Sequence, residues 1–184
     1  MKKIILTSLV VATAVFAQNN YNQKANKISK ELLKTLGGNL KKELKSNGPI
    51  AALKYCSTKA YDLTKSVSDK HGKNINIKRI SLKPRNPSDA ANKDETVILK
   101  SMEAMYKVGV QPKNITQKKD GKVIVYKPLI IKKKACLICH GDVAKNKPKL
   151  AKEIKNLYPA DKATGYKMGD LRGAIVVTFE KKGQ

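Results

Sequence analysis

Apolar positions recur at helical spacing through the first third of the chain. Ala25, Ile28, Leu32, Leu36, Leu40 and Leu44 follow one another at steps of three and four, which draws one apolar stripe along a helix over residues 21–46. Gly37-Gly38 weakens the middle of that helix and predicts a kink there. Ser46-Asn47-Gly48-Pro49 marks a stop and a restart, with Pro49 suited to the first turn of a new helix. In this second helix, residues 49–68, a stripe of Ile50, Leu53, Cys56, Ala60, Leu63 and Val67 puts Cys56 at its buried centre. His71-Gly72 ends it.

Beyond residue 72 the period shortens to that of strands. Ile75 and Ile77 alternate, then Ile80 and Leu82 alternate in the opposite phase, and the slip at Lys78-Arg79 predicts a bulge or bend. Residues 83–94 read as loop and residues 95–108 as a helix with Ile98, Met102 and Met105 on one face. Residues 114–131 read as a hairpin turning at Asp120-Gly121. A short helix over 148–157, a loop over 158–170 and a last strand over 174–179 complete the chain. Helices, strand, helix, hairpin, helix, strand is the order of an α+β fold with an antiparallel sheet.

The N-terminus carries a different pattern. Met1-Lys2-Lys3 is a short positive segment, residues 4–17 are apolar apart from Thr7, Ser8 and Thr13, and Val15-Phe16-Ala17 offers small residues before a polar chain. This predicts a secretory signal peptide over residues 1–17, cut after Ala17, and hence a periplasmic protein. The run is short for a membrane span, and an uncleaved anchor is the alternative. Residues 18–47 would then form an N-terminal helix and residues 48–184 one domain.

The formal net charge is +25. Such a balance normally points to nucleic acid. Export and the even spread of lysine along the chain argue against that partner. A solvated lysine surface accounts for the charge, and steering toward an acidic redox protein or an anionic membrane is the sharper reading. Arginine occurs only at Arg79, Arg85 and Arg172. Its fork suits carboxylates, so these three are expected either to hold the carboxylates of a bound cofactor or to brace loops through acids such as Asp161 and Asp170.

Candidate chemistry concentrates in Cys136-Leu137-Ile138-Cys139-His140. This is C-x-x-C-H, the attachment site of a c-type haem. Two thiols form thioethers with the two vinyl groups, and the histidine that follows binds iron as the proximal ligand. One motif implies one covalent haem c. Export supports it, because this attachment takes place outside the bacterial cytoplasmic membrane. A zinc site of Cys56, Cys136, Cys139 and His140 is the competing metal reading, awkward because Cys139 and His140 are adjacent. For the sixth iron position the chain offers Met102, Met105, Met168, His71 and Cys56. Cys56 is the odd cysteine of an exported protein, and three readings stand: a small buried hydrophobe, an iron ligand, or half of an intermolecular disulfide. Tyr126, Tyr158 and Tyr166 are candidates to line a haem pocket. No nucleophile–base constellation is present, so an enzyme is not expected.

Over residues 48–180 the chain resembles a family of single-haem c-type proteins with a PAS-like domain, formerly a domain of unknown function. The matching stretches are residues 52–56, 79–87 (RISLKPRNP), 126–129 (YKPL), 136–141 (CLICHG) and 158–176 (YPADKATGYKMGDLRGAIV). The resemblance implies a PAS-like antiparallel sheet flanked by helices, haem on Cys136 and Cys139, His140 as one axial ligand and Cys56 as the other. It also implies redox or small-ligand sensing. Covalent haem with two protein ligands and no catalytic constellation points to redox sensing or electron transfer, with sensing of NO or CO through a partner protein as the alternative. Homodimers are common among PAS-like domains.

Overall fold

The computed structural model describes residues 5–180, with side chains from residue 19 onward. Residues 1–4 of the expected leader lie outside the described residues, as do the side chains of the rest of it. Among the described residues no helix is long and apolar enough to cross a membrane.

Helix α1 spans Ile5–Lys70 and is broken at Gly48, where φ is 77° and ψ is 179°. That conformation is open almost only to glycine, and Pro49 follows with no N–H to continue the hydrogen-bond ladder. The break folds α1 back on itself. Glu31 meets Lys70 at 2.7 Å and His71 at 2.9 Å. Closer to the bend, the Tyr55 hydroxyl donates to Asn39 Oδ1 at 3.3 Å, and Val67 shares a core with Ala25, Ile28 and Leu32. Early residues thus meet late ones in reverse order, as in two antiparallel arms. The kink expected at Gly37-Gly38 does not form. Both residues stay helical and exposed, with nothing pressing on the helix there.

Four antiparallel strands form one sheet in the order β1-β4-β3-β2: β1 is Ile75–Ile80, β2 Ile115–Lys119, β3 Lys122–Ile130 and β4 Leu171–Phe179. One face packs on α1 through Ile75, Ile77, Val125, Ile175, Val177 and Phe179. The other packs on α2 (Lys93–Lys107) through Ile80, Tyr126, Ala174 and Val176 against Leu99 and Met102. Residues 174–177 of the central strand are therefore all buried, as expected for a strand covered on both sides. This also explains the phase slip in β1. Its pairing with β4 runs from Ile75↔Phe179 to Ile80↔Ala174 without a bulge. Ile75 and Ile77 face α1 while Ile80 faces α2. The register shift lies instead in β3, between Leu129 and Ile130.

Helix α2 starts at a capping box, in which Asn92 Oδ1 accepts from the Glu95 N–H (2.9 Å) and Glu95 Oε2 accepts from the Asn92 N–H (3.1 Å). Buried Glu95 also pairs with Lys78 of β1 at 2.6 Å, which ties the helix to its face of the sheet. After β3 come three helices: α3 Leu137–His140, α4 Val143–Asn146 and α5 Pro148–Leu157. Val143, Leu150 and Ile154 bury Leu53 of α1 in a separate small core, with Ile138 and Cys139 packed against it. The expected class, α+β with an antiparallel sheet flanked by helices and long N-terminal helical arms, is the one observed.

Candidate functional site

The C-x-x-C-H segment forms a 3-10 turn, Lys134–Cys136, running into the single turn of α3. Three-residue spacing on that turn puts Cys136 and Cys139 on the same side. The helix ends at Gly141, where a Cβ would lie 2.7 Å from the Leu137 carbonyl oxygen, so only glycine lets the chain leave this tightly. Leu53 sits three residues before Cys56 on α1 and packs in the core that Ile138 and Cys139 touch. Cys56 is thereby brought to the motif, half-buried rather than central in a core. Burial pushes the Cys139 thiol up, Arg85 opposes this, and the neighbouring Cys56 and Cys136 add to it. Burial likewise raises the Cys56 thiol, against the pull of Arg79 and Arg85 and with Glu43 adding to the rise.

His140 is fixed through its backbone side. Its Nδ1 lies 2.7 Å from the Ala163 carbonyl oxygen. A carbonyl only accepts, so Nδ1 carries the proton and Nε2 keeps its lone pair. Burial, with Arg172 and Arg85 nearby, pushes the imidazole pKa down to about 3, so the ring is neutral at ordinary pH. Tyr166 stands edge-on to it, with centroids 6.2 Å apart.

Arg85 organises this region. It is 8% exposed and donates to Asp161 Oδ1 (3.1 Å), the Cys139 carbonyl (2.6 Å) and the Ala163 carbonyl (3.2 Å). A buried guanidinium is costly unless its donors find acceptors, and here Nε and Nη2 do. One side chain therefore joins the end of the motif to the loop that orients His140. The same loop is stitched to the motif by Gly165 N–H to the Gly141 carbonyl (2.9 Å) and Tyr166 N–H to the His140 carbonyl (2.9 Å).

The other arginines do different work. Arg79 lies 3.7 Å from Asp89 and over the ring of Tyr61. Arg172 donates from Nη1 to Ser81 Oγ (2.6 Å) and the Lys83 carbonyl (3.1 Å) and lies over Tyr166. Burial lowers its pKa. Through these contacts Arg79 and Arg172 brace their loops.

Tyr126 is not brought to the site. It is buried on the α2 face of the sheet with Leu99 and Met102, where its hydroxyl donates to Gln117 Oε1 at 3.1 Å. Tyr158 packs against the same small core as Cys139. Among the other iron-ligand candidates, Met102 is fully buried in the α2 core, and Met105 and Met168 are exposed. His71 is held by Glu31 at the far end of α1. Among the described residues no three Cys, His, Asp or Glu side chains gather around a point that could hold a metal ion, which counts against the four-ligand zinc site. The Ala163 carbonyl was invisible in the sequence, since any residue supplies that acceptor; Asp161 was foreseen as an arginine partner.

An antiparallel sheet between a folded-back helix and α2, with a C-x-x-C-H turn docked at one end, defines the class of protein. The Tll0287-like family model matches residues 6–179, nearly the whole chain, and the chain belongs to that family. The crystal structure of the cyanobacterial heme-protein Tll0287 is similar in fold, with a TM-score of 0.66 and 21% identity, covering 88% of this chain and 96% of that one. No curated protein matches.

Proposed function

We propose that this is an exported single-haem c-type protein, with haem attached through Cys136 and Cys139 and iron held between His140 Nε2 and Cys56 Sγ. Its role is redox sensing or electron transfer. The observation that carries the reading is the hydrogen bond from His140 Nδ1 to the Ala163 carbonyl, which leaves the Nε2 lone pair free to bind iron, on the residue that directly follows two cysteines at attachment spacing. The convergence of Cys56 on the same turn, and kinship with a heme-protein of the same fold, support it further. Haem, when bound, supplies a one-electron iron couple whose potential its axial donors set.

The chain's own residues do the rest. The Ala163 carbonyl fixes the tautomer and plane of His140. Arg85 holds that carbonyl and the end of α3 in one place. Leu53, packed in the α5 core three residues before Cys56, keeps that stretch of α1 against the motif. An acidic redox or signalling protein fits the lysine-rich surface as partner. The break at Gly48 favours a second reading, in which NO or CO displaces Cys56 and the arm that carries it shifts.

The test is the pyridine haemochrome spectrum of the exported protein beside its Cys136→Ser/Cys139→Ser variant. A thioether-type spectrum in the wild type, lost in the variant, is expected. A wild type that carries no haem, or whose haem extracts into acidified acetone, would overturn the assignment.

A further inference from the structure

Two of the three arginines are matched by an acid, Arg79 by Asp89 and Arg85 by Asp161. Arg172 has no carboxylate within ion-pair distance among the described residues. Its Nη1 is engaged by Ser81 and Lys83, and its remaining donors have no protein acceptor among those residues. The remaining edge of this guanidinium is not sealed in the core; it reaches solvent and is open to an anion.

Beside it opens a cleft of about 350 Å³ between the C-terminal half of α2 and the start of β4. None of Cys56, Cys136, Cys139 and His140 lines it. Lys83 and Lys107 join Arg172 as cations at its rim, and Glu103 and Asp170 are the acids. Asp170 is already engaged, accepting from the Lys167 N–H at 2.7 Å. The balance favours one negative charge and disfavours a dianion, which Glu103 would repel. Tyr106, Tyr166 and Leu99 give the rest of the wall an aromatic and apolar character.

We propose that this cleft binds a small monocarboxylate with a short apolar or aromatic body. The carboxylate accepts from the free edge of Arg172, and the body lies between Tyr106 and Tyr166 over Leu99. The site shares no residue with the haem attachment or axial positions, although its Tyr166 stands edge-on to His140.

Calorimetric titration of the full chain as purified, with benzoate and with butyrate, tests this, using sulfate at matched ionic strength as the control. A saturable one-site isotherm is expected for the carboxylates and not for sulfate. Arg172→Gln should weaken it about tenfold or more, the worth of a charge-assisted hydrogen bond. Because Arg172 also braces Ser81, a second variant is needed. Glu103→Gln breaks no hydrogen bond or ion pair of the fold among the described residues and should tighten binding roughly two- to fivefold. Equal heats with sulfate would mean general attraction to a basic surface and overturn the proposal. So would no binding to haem-loaded protein, which would leave Arg172 to a haem propionate, or unchanged affinity in Glu103→Gln.

Discussion

Between α1 and the sheet, Ala25, Ile28, Leu32, Val125, Ile175 and Val177 make an almost wholly apolar contact. Around α3, stability comes from a buried ion pair and a set of donors aimed at backbone carbonyls. The first region gains from area removed from water and tolerates small shifts. The second depends on every partner being present, because an unmatched buried charge costs far more than a lost methyl group. The difference suits the two tasks: one holds the fold, while the other holds His140 in one orientation.

That contrast is open to test by breaking each side. The largest effect should come from Arg85→Ala, which leaves Asp161, its side chain 7% exposed, without its cation. A loss of about 3–5 kcal/mol is expected in denaturant unfolding. The haem-loaded protein should also show a disturbed His140 environment, visible in its optical spectrum. Leu32→Ala cuts only into the apolar contact, since Leu32 is fully buried there. It should cost about 2–5 kcal/mol and leave that spectrum unchanged. A spectrum altered by Leu32→Ala and untouched by Arg85→Ala would reverse the division of labour.

A smaller effect is expected from acid. Hydrogen bonds from Lys70 and His71 hold the Glu31 carboxyl below its ordinary value of 4.5. Its contribution to joining the arms of α1 is present above that value and fades as pH falls through the lowered one. Thermal midpoints measured between pH 2 and 6 should fall on the acid side, and Glu31→Gln should flatten that part of the profile. An unchanged acid limb in the variant would show that other carboxylates govern it.

The apolar half of this comparison was largely readable in the sequence. The helical stripe through Ala25, Ile28 and Leu32, the hairpin at Asp120-Gly121 and the helix after Pro148 all follow from periodicity and turn chemistry. Two details misled. Gly37-Gly38 looked like a further weak point, yet the helix breaks where its backbone must leave helical space, at Gly48 before Pro49, the stop that Ser46-Asn47-Gly48-Pro49 predicted. The phase slip in β1 looked like a bulge, but it records burial on both faces of the sheet, which a single strand cannot reveal. The polar half was readable only in part. The thiols and His140 stand out as a motif, and Asp161 was a recognisable partner for an arginine. That Arg85 rather than Arg172 would take it depends on loop geometry, and the Ala163 carbonyl leaves no mark in sequence.

The central claim is that iron is shared by the motif histidine and a cysteine from α1. Electron paramagnetic resonance of the oxidised, haem-loaded protein, wild type beside Cys56→Ala, tests it most directly. A low-spin thiolate–imidazole signal is expected in the wild type and should disappear in the variant, with haem still covalently attached. Superimposable spectra from the two proteins would contradict it.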